Sequence, residues 1–184
     1  YLELDPRQIE MIVKHLPEKH RNFLNDTRLK IHYVDGRYYV KNSREKYDLV
    51  ISNVPDPSTA VINRYYTTGF LAEASRILKD DGVFATKVSS ALDYLGTDIT
   101  NYAGSVYQAI RAVFPVVIAT PGSANFFFAS KKDGVVTADP AVLAQRYEAS
   151  GVTSPYFSPV QFAQMLQADR VEALNNALKT ARIR

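Results

Sequence analysis

Short apolar runs alternate with helix-patterned segments along most of this chain, and nearly every run closes on an acid or a turn pair. YLEL (1–4) reads as a strand. DPRQIEMIVKHL (5–16) reads as a helix, with Asp5 as its cap, Pro6 in its first turn and Ile9, Ile12, Val13 and Leu16 on one face. LKIHYV (29–34) alternates as a strand and stops at the turn pair Asp35-Gly36, and a short amphipathic piece follows. Residues 47–51 form an apolar run of the kind covered on both faces in a parallel sheet. Residues 52–64 read as a polar loop and 66–79 as a helix, with Asp81-Gly82 separating it from the buried strand GVFATKV (82–88). After a long loop comes a helix over 99–114. VVIAT (116–120) and NFFFASKK (125–132) then read as antiparallel neighbours, because the loop PGSAN between them is short.

The order β-α-β-α-β-α-β-α-β-β predicts an α/β protein: a three-layer, Rossmann-like, mostly parallel sheet with an antiparallel last strand. Three helical patterns follow, at 139–150, 159–168 and 169–182. The expected division is therefore a sheet domain over 1–135 and a helical C-terminal extension over 136–184.

Composition removes several function classes. With no cysteine there is no disulfide framework, thiolate metal site or cysteine nucleophile. The histidines His15, His20 and His32 share no metal-ligand spacing, so no metal is expected. The net charge of +3 is scattered, with short groupings at 14–21 and 182–184 and no dense basic face, which argues against nucleic acid. No apolar run spans a bilayer and no signal peptide opens the chain, so a cytoplasmic location is expected. No GxSxG elbow accompanies Ser58, Ser89 or Ser90, and no P-loop is present.

Ligands of such sheets bind beyond the carboxyl ends of the strands, and acids stand there. Glu3 can accept from ribose hydroxyls or be an exposed terminal acid. Asp35 can accept from an adenine amino group or cap the following helix. Asp56, held between Pro55 and Pro57, can hold a cationic amine or form an Asx turn. Tyr65 and Tyr66 can line a pocket mouth, or pack with a wet hydroxyl.

The stretches LELDPRQIEMI, LKIHYVDGRYYV, YDLVISNVPDPST and RYYTTGFLAEASRILKDDGVFATKV, in register over about residues 1–132, resemble the polyamine aminopropyltransferases, the spermidine synthase family. The resemblance implies a methyltransferase-type fold and decarboxylated S-adenosylmethionine, or S-adenosylmethionine, as cofactor. It also implies an amine acceptor and a homodimer. By that resemblance Glu3 takes the ribose, Asp35 and Gly36 border the adenine, and Asp56 and Tyr66 serve the amine side. The family's general-base aspartate falls on Asn53, and its usual glutamine after the GVF strand on Lys87. An amide offers no basic site, and general-base catalysis is worth about a hundred- to ten-thousand-fold in rate. The nucleoside half of the site therefore reads as kept and the polyamine-activating half as changed.

The same resemblance places the family's first strand and Gly-rich loop upstream of Tyr1, outside this sequence, which implies weakened cofactor binding. The tail resembles those of membrane-tethered relatives, so any membrane contact is expected through a segment outside this chain. Two other functions fit the same residues. One is a non-catalytic adenosyl-binding or interaction domain, and the other is a small-molecule methyltransferase.

Overall fold

The computed structural model describes residues 1–90 and 97–181. Its chain forms two compact units, Tyr1–Arg44 and Glu45–Arg184. The loop expected before the fifth helix falls largely on residues 91–96. That stretch and the 182–184 basic grouping lie outside the described residues.

The first unit runs β1 (Leu2–Glu3), α1 (Pro6–His15), two short 3-10 turns, β2 (His32–Tyr33) and α2 (Gly36–Asn42). β1 and β2 pair in parallel, Leu2 beside His32 and Glu3 beside Tyr33. The His32 N–H donates to Tyr1 O at 2.8 Å and the Val34 N–H to Glu3 O at 2.9 Å. The strand expected over 29–34 shrinks to two residues, because β1 offers it no longer partner. Asp5 caps α1 as expected, its Oδ1 accepting the Arg7 N–H at 2.9 Å, with Pro6 in the first turn. The apolar stripe of α1 is not buried, however. Met11 and Ile12 are half exposed, and Val40 is the unit's single buried hydrophobic residue.

The second unit runs β3 (Tyr47–Ser52), α3 (Ala60–Asn63), α4 (Thr68–Ile77), β4 (Leu78–Ser89) and α5 (Thr97–Arg111). It continues through β5 (Val116–Thr120), β6 (Ala124–Ser130), α6 (Pro140–Ala149), α7 (Val160–Met165) and α8 (Ala168–Thr180). Its sheet has the order β3-β4-β6-β5. β3 and β4 are parallel, and β6 runs antiparallel to both its neighbours, so the reversed last strand is as expected.

Two local expectations are corrected. The loop 52–64 holds one helical turn, α3, capped by the Thr59 hydroxyl accepting from the Ile62 N–H at 3.3 Å. Asp81-Gly82 is no separator: β4 begins at Leu78, paired with Tyr47, and its ladder shifts register before Leu49 meets Val83. That irregularity favours glycine. A Cβ on Gly82 would stand 3.0 Å from both Tyr47 O and Leu78 Cδ2.

The core of this unit is aromatic. Phe84 of β4 stacks on Phe114 at 5.7 Å between ring centroids, and both are fully buried with Phe127 of β6, Leu71 of α4 and Ile110 of α5. Burying each such side chain is worth about 1.5–3 kcal/mol. The tail joins this packing. Leu174 and Leu178 of α8 are buried, and a Cβ on Gly104 of α5 would run into the Cβ of Ala181. Asn175 of α8 donates to Ala119 O at 3.1 Å and accepts the Ala119 N–H at 3.4 Å, which covers peptide groups of the edge strand β5. At the opposite edge, β3 leaves Leu49 and Ile51 more than half exposed.

Among the described residues, no helix is long and apolar enough to cross a membrane, and no group of three or more His, Asp or Glu side chains could hold a metal ion.

Candidate functional site

In the first unit, the structure brings Glu3 and Asp35 to the same end of a parallel strand pair. Glu3 is the last residue of β1 and Asp35 follows β2 by two positions. Glu3 Oε1 accepts the Asp5 N–H at 3.0 Å, while the Tyr1 hydroxyl reaches Oε2 at 3.4 Å. Burial, then the Glu3 charge, push the Tyr1 phenol up. Asp35 caps α2, its Oδ1 accepting the Tyr38 N–H at 2.9 Å, and Gly36 is the first helical residue. Of its two sequence readings, the cap is the one the geometry displays.

In the second unit, the loop after β3 is tied down from two directions. Asp56 Oδ1 accepts the Ser89 N–H at 2.9 Å, across from the end of β4. Tyr66 is buried, and its single hydroxyl proton is shared among Pro55 O at 3.1 Å, Lys87 O at 3.1 Å and Val54 O at 3.3 Å. Tyr66 therefore pins the loop to β4. Burial raises its phenol and the Asp56 charge adds to this, against a hydrogen bond from Thr86. Asn53, the first residue past β3, is exposed, as is the side chain of Lys87. Tyr65 meets Phe70 edge-on at 5.2 Å and lies under the Arg64 guanidinium at 5.0 Å, so its ring is used in packing.

An open cleft of about 600 Å³ adjoins this loop. One wall is residues 57–60 with Asn63 and Tyr66; the other is Asn101, Tyr102, Ser105 and Val106 of α5. The Tyr102 hydroxyl oxygen is buried and has no hydrogen-bond partner among the described residues. Burial is the main cause of its strongly raised phenol, followed by the charges of Asp56 and Tyr66. Asp56 thus lies close enough to both tyrosines to be felt electrostatically. Its Oδ1 is engaged and Oδ2 has no partner among the described residues, an arrangement able to hold an ammonium group.

Sequence reasoning singled out Asp56 and Tyr66 as candidates but missed Ser89 as the donor that orients Asp56. It also missed the α5 wall. Asn101, Tyr102, Ser105 and Val106 fall at i, i+1, i+4 and i+5, one face of a helix, and polar residues on such a face were the available signal.

Comparison with known proteins gives a consistent result. A family model, the spermine/spermidine synthase domain, matches residues 1–139. A polyamine aminopropyltransferase of Pyrobaculum calidifontis is 29% identical over 168 residues, covering 85% of this chain and 56% of the relative. The chain thus spans about half the length of such curated relatives. Among solved structures, a spermidine synthase in complex with the transition-state analogue AdoDATO superposes with a TM-score of 0.73. It is 21% identical, with 96% of this chain and 59% of that one covered. Human methyltransferase-like protein 13 in complex with SAH gives 0.56 at 20% identity, covering 98% and 71%. Both neighbours bear out the methyltransferase-like α/β fold. The chain belongs to the spermine/spermidine synthase family.

Proposed function

For this member of the spermine/spermidine synthase family we propose a transferase that moves an aminopropyl group from decarboxylated S-adenosylmethionine to an amine held by Asp56. The observation that carries the reading is the Asp56 carboxylate, fixed by the Ser89 N–H, with its second oxygen unengaged among the described residues. In the step, the amine lone pair forms the new N–C bond to the carbon beside the sulfonium. The C–S bond breaks and its electron pair stays on sulfur, leaving a neutral thioether. The amine lone pair is free only after the ammonium held by Asp56 has given a proton to solvent, since Asn53 cannot take it; attack then leaves the substituted nitrogen protonated.

Within this proposal, Glu3 receives the ribose hydroxyls and Asp35 with Gly36 borders the adenine. Tyr66 positions the loop that carries Asp56. Support for an adenosyl ligand comes from the neighbours that carry AdoDATO and SAH. Putrescine is expected to be a poor acceptor, because Asn53 supplies no base and Lys87 adds a cation.

The test is mass-spectrometric detection of an aminopropylated amine and the thioether product from this chain, decarboxylated S-adenosylmethionine and an amine panel. Asp56→Asn is expected to lower turnover at least tenfold. Asn53→Asp is expected to raise putrescine turnover about a hundred- to ten-thousand-fold. Calorimetric binding of the cofactor with no product from any amine would overturn transfer. It would leave the adenosyl-binding domain, the second reading that Asn53 and Lys87 favour. Methyl transfer from S-adenosylmethionine would instead establish a small-molecule methyltransferase.

A further inference from the structure

Strand β4 turns positions 84, 86 and 88 toward the core. Phe84 and Val88 fill two of them with fully buried apolar side chains. The third, Thr86, is 5% exposed and carries a hydroxyl. Valine has nearly the same shape, so packing alone does not call for that hydroxyl, and a buried polar group among apolar ones is the informative exception. It donates to the Ser52 carbonyl at 2.9 Å, and Ser52 is the ladder partner of Thr86 on β3. Ser52 is also the last residue of β3, so its carbonyl belongs to the peptide unit that opens the loop to Asp56.

Three contacts then hold that loop along the end of β4. Thr86 Oγ1 holds Ser52 O, the Tyr66 hydroxyl faces both Pro55 O and Lys87 O, and the Ser89 N–H holds Asp56 Oδ1. Thr86, Lys87 and Ser89 all belong to β4, so the loop takes its position from one strand. The Thr86 hydroxyl also reaches that of Tyr66, which joins two of the three contacts. Without it, the carbonyl of buried Ser52 would lose this donor, and the first peptide of the loop would gain by turning toward water. Asp56 follows four positions later, between Pro55 and Pro57. Their fixed φ angles pass a rotation at Ser52 onward rather than absorb it.

We propose that Thr86 is a positioning residue: its hydroxyl sets the direction in which the loop leaves β3, and through the loop it keeps the Asp56 carboxylate on the Ser89 N–H. It acts through Asp56 and not on a ligand. This deepens the transferase reading and rests on it only for the claim that Asp56 then holds an acceptor amine.

The experiment follows the Ser89 amide by heteronuclear NMR, because that proton reports its bond to Asp56 directly. Asp56→Asn marks where the signal lies without the carboxylate. In Thr86→Val the Ser89 signal is expected to move toward that mark, and its hydrogen exchange to quicken about tenfold or more. The Phe84 and Phe127 amides should keep their signals, which a general loss of packing would not allow. Thr86→Ser returns the hydroxyl and should bring the Ser89 signal back to its wild-type place. An unmoved Ser89 signal in folded Thr86→Val, or a Thr86→Ser signal displaced as far as that of Thr86→Val, would overturn the inference. If circular dichroism shows Thr86→Val unfolded, Thr86→Ala is read in its place. Loss of the fold in both would make Thr86 a core residue and overturn the inference as well. In turnover, Thr86→Val should raise the KM for the accepted amine about tenfold and change kcat by less than about threefold, because the group that holds the amine is displaced. A Ser89 signal that follows Thr86 in a chain that transfers nothing would uphold the positioning role and sink the transferase reading. Turnover with a Ser89 signal indifferent to Thr86 would do the reverse.

Discussion

Helices α1 and α4 have the same length of ten residues. Each follows a capping side chain and carries apolar residues at helical spacing. α4 buries Phe70, Leu71, Ala74 and Ile77, whereas α1 buries nothing. The contrast extends to their units. The second unit holds a stacked aromatic core under a four-stranded sheet, while the first rests on a two-residue ladder, helix caps and one buried valine. Amphipathic pattern is therefore not a measure of burial. Most helical stability comes from what a face packs against, not from the pattern.

The comparison can be broken by experiment, beginning with its largest expected effect. Native-state hydrogen exchange should show β4 and β6 amides opening only with global unfolding, at free energies of roughly 5 kcal/mol or more. The β1 and β2 amides should exchange near the unprotected limit. Equal protection in both units would end the argument. Next, Phe84→Ala should lower stability by about 3–5 kcal/mol in chemical denaturation, for a fully buried ring lost from a stack. Ile12→Ala, at a half-exposed position, should stay within about 1 kcal/mol. The caps give a smaller effect. Thr67→Ala should lower the global midpoint by the equivalent of about 1 kcal/mol, because α4 is part of the cooperative core. Asp5→Ala should speed exchange in α1 and leave that midpoint in place.

The last effect is silent at neutral pH. Burial holds the phenols of Tyr66, Tyr102 and Tyr107 above their ordinary value. The unfolded chain then releases those protons first, near pH ~10. The second unit keeps its full stability below that pH and loses it as pH rises through the raised values. Phenolate absorbance and circular dichroism followed together should show these three tyrosines ionising only as the fold is lost. Ionisation in step with exposed tyrosine, well before unfolding, would contradict their burial.

The two units also differ in how their acids were legible. Glu3, Asp35 and Gly36 were found at strand and helix ends, because caps and turns are written within a few residues. Asp35 indeed caps α2 from its own sequence neighbourhood. Asp56 was found too, but its orientation depends on Ser89, thirty-three positions away. The Tyr66 side chain could be read as lining a pocket mouth or as packing with a wet hydroxyl; it lines the cleft, and its hydroxyl is held by carbonyls of the loop and of β4.

The sequence alone determined the alternation of strands and helices, the reversed last strand and the caps of α1 and α2. It also carried the family motifs through residue 88. These are local signals: side-chain period, turn chemistry and short connections decide them without reference to distant chain. Only the tertiary structure decided that β4 runs straight through Asp81-Gly82 and that Asn175 covers the β5 edge. It also decided that a polar face of α5 closes a cleft beside Asp56. Those features need pairings across tens of residues, fixed by how the sheet and its helices pack, and a linear pattern does not encode which distant groups will meet.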